Sequence, residues 1–554
     1  MFFQTYASTV KIKHKFLCIG FLAILLSISI HTFAYTSPRP MSGTPLLPQL
    51  PKSAASSPIK VQTVALSLLG RTETLPLQEK FYTTTFSGSG MREVTANLYY
   101  PRKDEPTGPL NVYVEAGVSP DEGLINSLVR EFEQVIYPTI HQHFGIESDI
   151  DDNGQITLLL TDLQTSHVSG YFDARNQYSN KVIANSNERE MIYINSAMLN
   201  YGLDAVLQAL VHEFTHLVQW NYHWNYVPDS IWFTEGMAMY STYLVGLTSG
   251  QTHRYWDFGS IEEYLRSYDT VSLIDWEQRL ADYGAAYAFM MYLSDHYSPG
   301  HLRRIFQDPR NDRLKVIGEY LTNYDTTLET LLGDWAAANA FNLDSPPYGY
   351  THLPAGLPGA MPMLADGPVH VKAWMANYWQ LTGGDGQGVR LEIPAEKGLA
   401  ALIAEEDHSG RWTISRFSQS QDALIYQRGP TTLRKSVLIL TTTDRDISLD
   451  IKFSNPSEPP LEHRLEIIPV PDLLLPGRFA VMIKTNQTLD APPVIEINGM
   501  QKGEHVNISQ AWPQQGVYLS QTFNRNDFGS GPLQILAKGY INGRELTVKE
   551  HLGQ

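Results

Sequence analysis

Residues 203–243, LDAVLQALVHEFTHLVQWNYHWNYVPDSIWFTEGMAMYSTY, constrain the fold of this chain more than any other stretch. Leu203, Leu207, Leu210, Phe214 and Leu217 recur at helical spacing, which predicts a helix with one buried face. His212-Glu213-Phe214-Thr215-His216 lies inside it. Positions i and i+4 share a face one turn apart, so His212 and His216 present two imidazoles to one metal ion. Glu213, one residue round the helix, reaches a water on that ion without being a ligand.

A zinc ion that does chemistry takes three protein ligands and keeps a fourth position for water. A third histidine in the pattern His-Glu-x-x-His-x-x-Gly-x-x-His is not available. Gln219 stands at the glycine position, Tyr222 at the last histidine, and His223 is one residue out of phase; His223 reads as a loop histidine in an aromatic-rich turn. Glu235 is the alternative, with eighteen residues between it and His216. It follows VPDS, where Asp229 or Ser230 can cap a second helix. Its neighbours Trp232, Phe233, Met237 and Met239 predict burial, and a buried carboxylate needs a partner. The predicted metal ligands are therefore His212, His216 and Glu235, with Zn2+ as the cofactor.

These residues resemble the gluzincin arrangement of thermolysin-like peptidases. The flanking stretches are similar to the hyicolysin family of secreted bacterial neutral metallopeptidases. They are IYPTIHQHFGIESDIDDNGQITLLLTDL, GYFD, NEREMIYIN, HEFTHLVQW, WFTEGMAMY, YGAAYAFMMYL and DWAAANAF, spread over residues 136–341. The resemblance implies a zincin fold whose strand at 170–173 is the edge that pairs with a peptide substrate. It also implies a tyrosine that donates to the oxyanion. Tyr283 is the nearest match, although Ala286 replaces the glycine of the Tyr-x-x-Gly run of the exopeptidase members. Met239 stands where thermolysin-like enzymes carry an aspartate that holds a ligand histidine, so that histidine's partner must come from elsewhere. The exopeptidase run Gly-x-Met-x-Asn is missing from the sequence, which argues against trimming of amino termini.

The rest of the chain sets the context. Three lysines, Lys11, Lys13 and Lys15, precede an apolar run at residues 16–30 that ends near Thr32-Phe33-Ala34. The run is shorter than the ~20 residues of a spanning helix and reads as a signal peptide over 1–34, hence a secreted protein with no stable membrane insertion after cleavage. The single cysteine, Cys18, lies within it. A net charge of −17 disfavours nucleic acid and anionic membranes.

Residues 35–58 are rich in Pro and Ser and predict a disordered linker. Residues 59–118 predict strands leading into the catalytic sheet. Residues 119–344 predict an α+β zincin-like metallopeptidase domain, with a mixed-sheet upper lobe and a helical lower lobe. Within it Asp149, Asp151, Asn153 and Gly154 form an Asp-x-Asp-x-Asn-Gly turn, a candidate for Ca2+. Its twelfth position is Leu160 rather than Glu, so it is not an EF-hand loop. A linker at 345–364 and two β-sandwich domains follow, at 365–455 and 456–554, the second immunoglobulin-like. These either bind protein, glycan or a cell surface or support the catalytic unit.

The expected function is hydrolysis of internal peptide bonds in an extended polypeptide, with Glu213 as general base. The competing expectation is a non-catalytic surface or binding protein that retains a zincin scaffold; the presence of Glu213 argues against it.

Overall fold

The computed structural model describes residues 40–47, 75–86, 90–102, 108–223, 230–353, 356, 361–364, 368–381, 388–420, 422–454, 465–471, 477–485, 489–499, 502–513, 516–529, 532–541 and 544–552. The expected signal peptide at 1–34, most of the expected linker at 35–58, Asp229 and the start of the expected last domain lie outside these residues.

The chain divides into two compact units. The first comprises residues 1–387, 391–426 and 431–453; the second comprises 388–390, 427–430 and 454–554.

The first unit is built on a seven-stranded mixed sheet, in the order β1-β6-β7-β5-β4-β3-β2. Its strands are β1 (Met41–Ser42), β2 (Gln78–Thr85), β3 (Gly90–Tyr100), β4 (Leu110–Glu115), β5 (Ile156–Thr161), β6 (Val168–Phe172) and β7 (Met191–Asn195). β4, β5 and β7 run parallel, while β6 runs antiparallel to β7. Alternate residues serve the two faces, as the strand pleat requires. Leu110, Val112, Val114, Leu158, Leu160, Ile192 and Ile194 join the large helical core. Tyr113, Leu159, Tyr171 and Tyr193 join a second core with Phe81 and Val94.

The helices are α1 (Glu122–Glu131), α2 (Tyr137–His143), α3 (Leu203–Tyr222), α4 (Ile231–Ser249), α5 (Thr252–Tyr255), α6 (Gly259–Arg266), α7 (Leu280–His296), α8 (Pro299–Gln307), α9 (Arg313–Leu321) and α10 (Leu328–Phe341). Asp121 caps α1 by accepting from Leu124 N–H at 3.0 Å. Pro138 does not end the helical stretch. It falls in the first turn of α2, where no N–H is needed, after a π turn at Phe132–Ile136.

Two expectations for the chain's organisation are corrected. Residues 40–47, inside the expected linker, form β1 and a short 3-10 turn, with Met41 and Gly43 N–H bonded to the carbonyls of His167 and Gly170, each at 2.8 Å. β1, not the strand at 170–173, is therefore the sheet's edge. Proline and serine content predicts solvation only where no unpaired strand edge offers backbone partners. The described part of the 345–364 linker is packed, not free. Tyr292 Oη donates to Pro347 O at 2.9 Å and His296 Nε2 lies 2.8 Å from Gly349 O. Its tyrosines supply apolar area that composition alone hides.

The next β region continues the same unit. Strands Asn377–Gln380, Leu399–Glu406, Trp412–Arg416 and Lys435–Thr442 form a four-stranded antiparallel sheet. It packs on α10: Tyr378 Oη donates to Ala336 O at 2.7 Å, and Gly333 admits Leu402. In the second unit, a sheet containing Leu465–Pro471, Arg478–Thr485, Val517–Ser520 and Ile508–Trp512 faces one containing Gly503–Val506, Val494–Asn498, Leu533–Ile541 and Arg544–Leu552. Val481, Ile483, Ile495, Ile497, Leu533 and Ile535 fill the space between them.

Helix crossings in the first unit depend on close backbone approach. A Cβ at Gly284 of α7 would lie 1.9 Å from the carbonyl oxygen of Ser260 on α6. Gly284→Ala is expected to cost about 1–3 kcal/mol, read as a lower urea midpoint with an unchanged slope.

Candidate metal centre

α3 carries the polar residues that look solvent-facing in the sequence, yet it is buried on every side through its middle. His212, Glu213, Thr215, His216 and Gln219 are all under 7% exposed. The sheet covers one flank, with Gly170 of β6 lying directly on Glu213; a Cβ there would meet Tyr193 O at 2.6 Å and Glu213 Cγ at 3.3 Å. α4 covers another. Thr215 Oγ1 donates to Ser241 Oγ of α4 at 2.7 Å, and Gly236 of α4 lets α7 approach through Ala286. The one-face expectation for α3 is thus replaced by a central helix, because its polar stripe faces a second helix and a strand instead of water.

The structure brings His212, His216 and Glu235 together. The two Nε2 atoms are 3.1 Å apart. Glu235 Oε2 lies 3.0 Å from His212 Nε2, and Glu235 Oε1 lies 3.1 Å from His216 Nε2. Burial alone would push the His216 imidazole down, but the Glu235 carboxylate outweighs it and holds the ring up at about 9. Against the same burial, the two imidazoles hold Glu235 down at about 2, in its charged form.

This donor set fits zinc. Two nitrogens and a carboxylate are standard zinc ligands, and atoms bonded at about 2.0–2.2 Å in a tetrahedron sit roughly 3.3 Å apart. Glu213 gives a second sign. It is fully buried, and its Oε1 has no hydrogen-bond partner among the described residues. Its Oε2 accepts from Thr44 Oγ1 at 2.8 Å.

The ring of His216 has a polar partner in Gln219. Its Oε1 lies 3.2 Å from His216 Nδ1, and its Nε2 points to Thr234 O at 3.5 Å. In the sequence Gln219 only breaks a glycine pattern; its signal is the i+3 spacing from His216, which shares the same helix face.

Tyr283 on α7 is buried, stacks edge-on against Trp276 and donates to the carbonyl of Ser42 at 3.3 Å. His223 is not drawn into the cluster. It ends α3 with Nε2 on the Phe306 carbonyl and Nδ1 accepting from Arg313 at 2.8 Å; burial and then Arg313 push it down to about 4. Asp149 and Asp151 form a separate acidic cluster, joined by Glu190.

No family model matches the chain. A stretch of 286 residues is 28% identical to the neutral metalloprotease ShpI of Staphylococcus hyicus, covering 45% of this chain and 62% of that protein. The chain thus spans less than two thirds of that relative's length, and the similarity supports a metalloprotease relationship. Among solved structures, the Endo-D glycoside hydrolase domain of Streptococcus pneumoniae R6 aligns at 11% identity and TM-score 0.13, covering 34% of this chain and 32% of its own. A DUF4785 family protein of Legionella pneumophila aligns at 11% identity and TM-score 0.13, covering 34% and 64%. At these scores neither bears on fold or function. Among the described residues, no helix is long and apolar enough to cross a membrane.

If Gln219 orients His216, Gln219→Ala lowers zinc affinity roughly 10–100-fold while the fold is kept. Competition with a chromophoric chelator measures it.

Proposed function

We propose that the protein is a secreted zinc endopeptidase of the gluzincin type that hydrolyses internal bonds of extended polypeptides. The observation that carries this reading is the buried convergence of His212, His216 and Glu235, with Glu213 one residue along the same helix. His212, His216 and Glu235 would hold the ion. When bound there, zinc supplies a water of near-neutral pKa and a Lewis acid for the scissile carbonyl.

The chain's own residues do the rest. Glu213 Oε1, buried and without a hydrogen-bond partner among the described residues, takes the proton of the attacking water and passes it to the leaving nitrogen. Gln219 keeps the His216 ring oriented through Nδ1. Tyr283 donates to a peptide carbonyl lying beside β6, here that of Ser42, and the same hydroxyl serves the oxyanion of a substrate. The outer side of β6, which β1 occupies here, supplies N–H and C=O groups that pair with an extended chain once β1 leaves it. The retained Glu213 favours catalysis over a scaffold that only binds.

Zinc content and azocasein hydrolysis, measured together, test the reading. Wild type and Glu213→Gln are expected to carry one zinc each, with turnover lower by about 10²–10⁴ in the variant. Glu235→Ala is expected to lose the zinc. Equal turnover of wild type and Glu213→Gln would overturn the mechanism.

A further inference from the structure

We propose that Asp149, Asp151 and Glu190 form a structural Ca2+ site. A carboxylate oxygen from each lies within 4.8 Å of the others. Two oxygens bound to one Ca2+ at 2.3–2.6 Å can be separated by up to about 5 Å. The set is all oxygen, which selects a hard cation over zinc.

The sequence expectation placed the ion on Asp149, Asp151 and Asn153. The structure replaces Asn153 with Glu190. Asn153 Oδ1 accepts from Gln155 N–H at 2.6 Å and its Nδ2 donates to Asp151. Glu190 is 1% exposed, and its position is fixed where its carbonyl receives Thr157 N–H at 2.8 Å beside β5. Its Oε1 accepts from Ile150 N–H of the acidic turn at 3.0 Å, while Oε2 is buried with no hydrogen-bond partner among the described residues. Burial pushes the Glu190 carboxyl up to about 8, so without a cation the group takes up a proton, and a cation beside the two aspartates replaces it. The adjacent Arg189 is committed to Glu79, at 2.6 and 3.2 Å.

Calorimetric and thermal titration of the full-length Glu213→Gln chain with CaCl2, zinc present throughout, tests this. One binding event and a midpoint rise of roughly 5 °C are expected, not reproduced by MgCl2 and absent in Glu190→Gln. Asp151→Asn, at an exposed position that threatens no core, is expected to abolish the rise as well. No heat and no shift up to about 10 mM CaCl2, or a full response in Asp151→Asn, would overturn the site.

A separate observation carries a second inference, which rests on the proposed peptidase reading. We infer that residues 41–44 are an autoinhibitory strap that keeps the chain latent. β1 pairs in parallel with β6, on the side proposed for substrate. Ser42 and Gly43 are buried there. Thr44 Oγ1 accepts from Phe172 N–H at 2.9 Å and donates to Glu213 Oε2 at 2.8 Å; the Ser42 carbonyl takes the Tyr283 hydroxyl. One short segment thus holds β6, the proposed base and the proposed oxyanion donor. It is not set up to be cut. Leu46 N–H bonds to Gly43 O at 3.0 Å, with Pro45 between, so the chain turns out of extended pairing immediately after Thr44. A tethered occupant acts at millimolar effective concentration.

Gly43 offers a way to expel the strap without touching the catalytic groups. A Cβ there would lie 2.6 Å from Phe86 and 2.8 Å from Val168. The full chain and Gly43→Leu, with Thr44→Ala as a second variant, are compared by hydrolysis of an internally quenched peptide. Amide hydrogen exchange at Gly43 and Phe172 is followed alongside. Faster exchange with at least a tenfold gain in kcat/KM in Gly43→Leu is expected. Equal activity of all three chains would overturn the strap and leave the peptidase reading standing. Unprotected amides at both positions in the wild type would also overturn the strap. Released amides with bound zinc but no hydrolysis in any chain would overturn the peptidase reading, and latency with it.

Discussion

The structure turns on the burial of the Glu235 carboxylate between two imidazoles. A charged carboxylate with 1% exposure costs several kcal/mol of desolvation unless opposite charge or a cation faces it. Here the compensation comes from His212 and His216, one turn apart on α3, so α3 and α4 have to be held in a single register. The Thr215–Ser241 hydrogen bond pins that register on one side. The absence of a side chain at Gly236 lets α7 press onto α4 through Ala286. The same closeness brings Gly170 of β6 onto Glu213, and so sets the distance between sheet and metal cluster.

What could be read from the sequence followed from local pattern. The spacing of Leu203, Leu207, Leu210, Phe214 and Leu217 located α3, and the aromatic surroundings of Glu235 signalled its burial. What could not be read depended on who covers whom. Periodicity predicts a wet polar face on α3, but it cannot foresee that β6 and α4 close over that face. Gln219 looked like a broken glycine pattern because its role depends on the Thr234 carbonyl of another helix. Residues 40–47 have the composition of a solvated linker, and only the unpaired side of β6 makes a strand of them. Glu190 carries no signal next to Asp149 because the two are 41 positions apart in the chain.

The two clusters share one construction. Each begins with a local motif, His-x-x-x-His on α3 or Asp-x-Asp in a turn, that places two ligand groups without tertiary help. Each is completed by a glutamate that only packing brings near, Glu235 from α4 or Glu190 just before β7. A remote ligand costs little more than a near one, since closing a loop of 41 residues instead of 12 adds only about 1 kcal/mol of entropy. It also gains a cross-link that a ligand within the same turn cannot provide. That matters in a chain with a single cysteine, which can form no internal disulfide. Ions that join α3 to α4 and the acidic turn to the central sheet would do for this unit what disulfides do for disulfide-bonded domains.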